Sequence, residues 1–121
     1  MEPKTESVLD EAAKVVAGDR RKSYGPVLES FERIGLMWSA ILSRGHGQVF
    51  VGPRDVARMM MAMKIARDCH ADKRDNLVDI AGYALCAELI DLAQAEEERC
   101  YEKICKVLTE DTANKQPDSH Q

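Results

Sequence analysis

Apolar residues recur every three or four positions along most of this chain, which is the spacing that gathers them on one face of an α-helix. The pattern predicts four helices, at residues 7–17, 26–43, 52–67 and 75–108. The one strand-like segment, residues 48–51, is too short and too isolated to found a sheet. We therefore predict an all-α protein.

The third predicted helix and the first half of the fourth are apolar around most of their circumference, which indicates burial on more than one side. Four helices with short connections favour an antiparallel four-helix bundle that ends in a long C-terminal helix. We assign residues 1–108 to this single domain and expect the polar tail, residues 109–121, to be disordered. A methionine cluster on the third helix would fill the core or a subunit interface, and we expect a homo-oligomer, a dimer or larger. The cluster comprises Met59, Met60, Met61 and Met63.

Charge and composition limit the partners. The net charge of −4 disfavours binding of duplex nucleic acid by the whole surface, so any basic site must be local. No segment approaches the roughly 20 apolar residues of a membrane span, and the first six residues lack the apolar segment of a signal peptide. The four cysteines lack the paired spacing of a zinc site and are expected to be reduced. We expect a cytoplasmic protein without a membrane partner.

Three consecutive cations form the first candidate site: Arg20, Arg21 and Lys22 precede a predicted helix, between two glycines. Free N–H groups at a helix N-terminus favour an anion, and the guanidinium fork matches phosphate oxygens. Tyr24 is placed to stack on a base or to cap the phosphate. The alternative is a solvated basic loop.

Asp79 forms the second candidate site because it lies in a stretch that is otherwise almost uncharged. A buried carboxylate requires a cation, a metal ion or a set of hydrogen-bond donors. Asp75 lies one helical turn earlier on the same face, and Lys64 and Arg67 lie three residues apart on the preceding helix. These residues are consistent with a ligand site. The alternative is structural, with Asp75 capping the helix and Asp79 pairing with Arg67.

A third candidate is an E-x-x-E pair on the second predicted helix. Glu29 and Glu32 fall on one face, close enough to share a hard cation such as Mg²⁺. They point away from the apolar stripe of this helix. The alternative is an exposed acidic face that pairs with Arg33.

Four segments, at residues 18–25, 31–39, 55–67 and 75–84, together resemble an uncharacterised family of small helical proteins of phages and prophages. The resemblance covers about residues 8–90. More weakly, the chain is similar to the MazG-like all-α NTP pyrophosphatases, which are helical dimers or tetramers that bind Mg²⁺ with an E-x-x-E and an E-x-x-D motif on successive helices. Asn76-x-x-Asp79 matches the second motif with asparagine in place of glutamate, whereas Lys64-x-x-Arg67 stands where the acidic pair belongs.

Three hypotheses follow, and whether the protein is an enzyme stays open among them. In the first, a phage-type protein binds, and sequesters, a phosphorylated nucleotide or nucleotide signal in the cytoplasm of an infected or lysogenic bacterial cell, without a cofactor. In the second, it is a MazG-type, Mg²⁺-dependent NTP pyrophosphohydrolase with Glu29, Glu32 and Asp79 as metal ligands. In the third, it is a structural or adaptor protein. The ligand-binding set of the first hypothesis is Arg20, Arg21, Lys22, Tyr24, Lys64, Arg67, Asp75, Asp79 and Tyr83.

Overall fold

The computed structural model describes residues 6–45 and 47–115, and within them the protein is all-helical, without a strand. The helices are α1 (Val8–Ala17), α2 (Asp19–Tyr24), α3 (Val27–Leu42), α4 (Pro53–His70) and α5 (Arg74–Lys115). The all-α prediction is confirmed, and the four predicted helices correspond to α1, α3, α4 and α5. The short helix α2 replaces the loop that we predicted around the three cations. Across the described ranges no helix is both long and apolar enough to cross a bilayer.

The chain divides into two units, Met1–Asp91 and Leu92–Gln121. The predicted domain of residues 1–108 includes the first unit and part of the second, and it stays a prediction. Residues 109–115 are helical as part of α5, where we predicted a disordered tail. Residues 116–121 of that predicted tail lie outside the described residues.

Local interactions explain where several helices begin and end. The Ser7 hydroxyl accepts a hydrogen bond of 3.1 Å from the Asp10 N–H at the start of α1. Gly25, with φ of +79°, ends α2, a conformation that strains any residue with a Cβ atom. At the start of α4, Pro53 occupies the first turn and the Asp55 carboxylate accepts from the Gly52 N–H at 3.3 Å.

The core of the first unit is built from apolar residues of all its long helices. Val56 and Ala57 of α4 and Ile90 of α5 are completely buried. The segment before α4 packs along α3, since the Val51 N–H donates to the Ser39 Oγ at 2.8 Å. This extended segment, residues 48–51, was the one strand-like stretch of the sequence, and it is tied to a helix instead of a sheet.

Helices α4 and α5 are connected by the short turn of residues 71–73. Asp68, near the end of α4, accepts from the Lys73 N–H and from the Asn76 Nδ2, both at 3.2 Å. Farther from the turn, Arg54 pairs with Asp91 at 3.3 Å. Contacts between residues at equal distances on either side of the turn identify an antiparallel helical hairpin.

Candidate ligand-binding cavity

A cavity of about 210 Å³ lies among α1, α2, α3 and the first unit's part of α5, with Met60 contributed by α4. Its apolar lining consists of Ala12, Val15, Val16, Phe31, Ile34, Met60, Val78, Gly82 and Cys86. Its polar and aromatic lining consists of Arg20, Arg21, Tyr24, Ser30, Asp79 and Tyr83. A mainly apolar cavity with a few polar groups is the usual character of a small-molecule site.

The short helix α2 supplies the cations of this cavity. Arg21 is held in place because its Nε donates to the Val16 carbonyl at 2.9 Å and its Nη1 donates to the Gly25 carbonyl at 2.7 Å. Arg20 is exposed and forms no hydrogen bond or ion pair within the described residues. One arginine therefore fixes the helix, and its neighbour keeps its donors for another partner.

Asp79 brings a negative charge to the lining of the cavity. Its Oδ2 lies 2.7 Å from the Nζ of Lys64, and the two side chains are 21% and 16% exposed. Of the partners considered for Asp79, which were a cation, a metal ion or a set of donors, the structure shows a cation, Lys64. The structural alternative named the wrong cation, because Arg67 is exposed and lines a separate groove with Met63 and Lys73.

The positive charges of α2 act on the interior of the cavity. Burial raises the pKa of the Cys86 thiol, and the nearby charges of Arg21 and Arg20 lower it in part. Both guanidinium groups are therefore close enough to this wall to influence its electrostatics. The cavity combines an apolar wall with a positive potential from one side.

The aromatic residues lie on two sides of the cavity. Tyr83 of α5 packs against Phe31 of α3, with ring centroids 6.4 Å apart and planes inclined by 48°. Tyr24 is 60% exposed at the end of α2, and its backbone carbonyl accepts from Arg33 at 3.2 Å. Tyr83 therefore belongs to the packed wall, whereas Tyr24 has surface available for a ligand.

The structure brings together part of the predicted ligand-binding set. The residues that line one cavity are Arg20, Arg21, Tyr24, Asp79 and Tyr83, and Lys64 adjoins them through Asp79. Lys22, Arg67 and Asp75 are exposed and are not part of the lining. Asp75 lies in the first turn of α5, a helical turn away from the cavity residue Asp79.

The predicted metal ligands are not assembled into a site. Glu29 and Glu32 are exposed on α3, and neither lines the cavity that contains Asp79. In the part of the chain that the structure describes, no group of three or more His, Cys, Asp or Glu side chains is placed to hold a metal ion. Asn76, at the position of the MazG-like glutamate, donates to Asp68 across the α4–α5 turn.

Sequence reasoning missed the apolar wall of the cavity. Gly82 and Cys86 follow Asp79 at intervals of three and seven residues, which is the spacing of one helical face. On α3, Ser30 and Ile34 are spaced by one turn and also line the cavity. The periodicity of α5 alone could therefore have extended the candidate site from Asp79 to Cys86.

These features define a small helical protein whose first unit encloses a cavity with an apolar interior and arginines on one side. Residues 7–91 match the family described as "Domain of unknown function (DUF6378)", and the chain belongs to this family. It is 40% identical over 87 residues to the Gene 55 protein of Mycobacterium phage D29, an alignment that covers 71% of this chain and 54% of the phage protein.

The Gene 55 protein of Mycobacterium phage L5 is 41% identical over 91 residues, covering 74% of this chain and 56% of that protein. The chain thus spans about half the length of these relatives. No solved structure matches the chain. The resemblance to a phage protein family is confirmed, and the matched region ends where the first unit ends.

Proposed function

We propose that this protein binds a nucleotide, with the base inside the cavity and the phosphate at Arg20. The observation that carries the proposal is the combination of a mainly apolar cavity with the guanidinium group of Arg20, which has no partner among the described residues. Cavity size restricts how much of a ligand can enter. The volume of about 210 Å³ exceeds the roughly 150 Å³ that accommodates benzene and is below the roughly 300 Å³ of the smallest drug-sized pockets. One ring system fits inside, and the remainder of the ligand lies outside.

The part outside would meet α2. Arg20 is exposed there, and the guanidinium fork suits the paired oxygens of a phosphate. Arg21 adds positive charge while its bonds to Val16 and Gly25 hold the helix in place. Tyr24, exposed at the end of the same helix, offers a face for a sugar or a base. Burial of the base in the apolar cavity would thus supply binding energy, and the contacts of the phosphate with α2 would fix the orientation of the ligand.

Binding without turnover is the function that these groups support best. The acid that lines the cavity is engaged by Lys64, and the arginines would hold a phosphate through charge and hydrogen bonds. Such a protein would sequester a nucleotide or a nucleotide signal in the host cytoplasm. The MazG-like arrangement and its Mg²⁺-dependent hydrolysis remain predictions from the sequence.

Calorimetric titration and thermal unfolding with a panel of nucleoside mono-, di- and triphosphates test this proposal. A nucleotide at about a hundred times its dissociation constant should raise the free energy of unfolding by about 2.7 kcal/mol. Arg20→Gln should weaken binding at least about tenfold, because a hydrogen bond to a charged group contributes about 1.5–3 kcal/mol.

Lys22→Gln is the matched control. It removes the same charge two residues away, from an exposed side chain outside the cavity lining, and should leave affinity nearly unchanged. Equal losses in the two variants would show that general charge, and not the cavity, attracts the ligand. No stabilisation by any nucleotide would reject the proposal in favour of a structural role. Pyrophosphate release with Mg²⁺ would support the hydrolase alternative.

A further inference from the structure

We infer that the cavity selects guanine among the common bases, an inference that rests on the proposed function. The observation is the acceptor on an otherwise largely apolar inner wall. Asp79 lines the cavity together with Met60, Val78 and Gly82, and an ionised carboxylate accepts hydrogen bonds but donates none. The ligand must therefore present N–H or O–H groups to this wall.

The ion pair with Lys64 fixes the direction in which Asp79 accepts. Lys64 engages Oδ2 at 2.7 Å, and Oδ1 accepts no hydrogen bond within the described residues. Both side chains are mostly buried, at 21% and 16% exposure, so few solvent molecules compete for the carboxylate. A carboxylate held in this way at the wall of a cavity is prearranged for a ligand with matching donors.

Only guanine among the common bases offers two adjacent donors to a carboxylate, namely its N1–H and its 2-amino group. Adenine and cytosine place a ring-nitrogen lone pair beside their amino group, and that lone pair would face an oxygen of Asp79. Uracil and thymine flank their single N3–H with two carbonyl oxygens. Each of these four bases therefore brings an acceptor against an acceptor, whereas guanine does not.

The wall beside Asp79 includes a glycine, Gly82, and no other side chain stands between Asp79 and Tyr83 on this stretch of the lining. Gly82 lies one helical turn after Asp79, and a Cβ atom there would approach the Val16 side chain to 3.4 Å. Gly82 therefore lets α5 pack closely against Val16 and adds no side chain of its own to the lining. The acceptor Asp79 and the bare backbone of Gly82 lie on the same face of α5.

Titration of the unmodified protein with GMP, IMP, XMP and AMP tests the inference. IMP lacks the 2-amino group, and XMP replaces that group with a carbonyl oxygen. A bidentate contact discriminates by about 1–3 kcal/mol, so GMP should bind about 5- to 150-fold more tightly than IMP, and XMP should bind more weakly still. Affinities of all four ligands within about threefold of each other would overturn guanine selection and leave nucleotide binding standing. No binding by any of the four, or by the wider panel, would overturn the proposed function itself.

Asp79→Asn provides the second test, with native circular dichroism and a cooperative unfolding transition as the folding control. The amide presents one acceptor and one donor, which match the N1–H and the O2 of xanthine. The preference should change from GMP to XMP in this variant. Asp75→Asn makes the same change at an exposed position outside the cavity and should keep the parent's preference. An unchanged preference in a folded Asp79→Asn protein would overturn the inference, and if that variant does not fold, the affinities of the parent decide.

Discussion

Replacement of Gly82 by alanine should stabilise the protein and weaken ligand binding at the same time. Gly82 lies in the interior of α5, where glycine is less favourable than alanine by about 0.8–1.0 kcal/mol. The new methyl group would meet the nearest side chain, that of Val16, at 3.4 Å, which is close to ordinary van der Waals contact. We therefore expect the free energy of unfolding to rise by about 1 kcal/mol, and the melting temperature of the first unit to rise by about 4–8 °C.

Gly35 provides the matched control because it is also a glycine inside a helix but has a different neighbour. A Cβ atom at Gly35 would lie 2.5 Å from the carbonyl oxygen of Val51, which belongs to the backbone and cannot rotate away. The segment would have to move, at a cost of about 1–3 kcal/mol, and would strain the hydrogen bond from Val51 to Ser39. Gly35→Ala should therefore lower the free energy of unfolding by about 1–3 kcal/mol in spite of its better helix propensity.

Urea-induced unfolding of the two variants and the parent, followed by circular dichroism, measures these opposite changes. Calorimetry then compares nucleotide affinity in the parent and in Gly82→Ala, whose methyl group takes space in the cavity. Destabilisation by Gly82→Ala would mean that α1 and α5 are packed too closely for any side chain. Undiminished affinity would mean that the ligand does not occupy the cavity at Gly82, which would refute the reasoning about the site.

Two further predictions concern the buried thiol and the exposed apolar surface. Burial raises the pKa of the Cys86 thiol above its ordinary value of 9.0. The stability that the protonated thiol contributes should therefore be complete below pH 9.0 and be lost as the pH rises through the raised pKa. In urea unfolding between about pH 8 and 10.5, the free energy of unfolding should fall more steeply in the parent than in Cys86→Ala, and equal slopes would contradict this. Leu36, Met37 and Ile41 are 64%, 65% and 61% exposed, an apolar surface that we expect to be covered by a second copy of the chain. Light scattering should therefore give the mass of a dimer or a larger oligomer. Met37→Lys should lower this mass, whereas the control Glu32→Lys should not. A monomeric parent would reject this prediction.

The long helices could be predicted from the sequence because each carries a periodic apolar pattern over ten or more residues. Helix α2 could not, since its six residues are almost entirely polar and give no such pattern. Its position depends on Arg21, which bridges the carbonyl groups of Val16 and Gly25. A contact of one side chain with two backbone groups across a turn leaves no periodic trace in the sequence.

The need of Asp79 for a cation was predictable for a similar reason, since a charge in an apolar stretch must be neutralised. The sequence did not decide between Lys64 and Arg67, and only the structural alternative named one of them, Arg67. Both precede Asp79 on α4, and their spacing of three residues places them on neighbouring parts of one face. Periodicity shows which residues share one face of a helix. It does not show the register between two helices, which determines the residues that are opposite each other.

The α4–α5 turn supplies that missing register. Asp68 contacts Asn76 and Lys64 contacts Asp79, and both pairs lie almost symmetrically about residue 72. Since both helices rise by the same distance per residue, this symmetry must persist along an antiparallel hairpin. The partner position of Arg67 is consequently residue 77, two residues short of Asp79. Lys64, whose partner position is residue 80, is closer in register to Asp79 than Arg67 is, so the end of α4 and the length of the turn determine which cation adjoins the cavity.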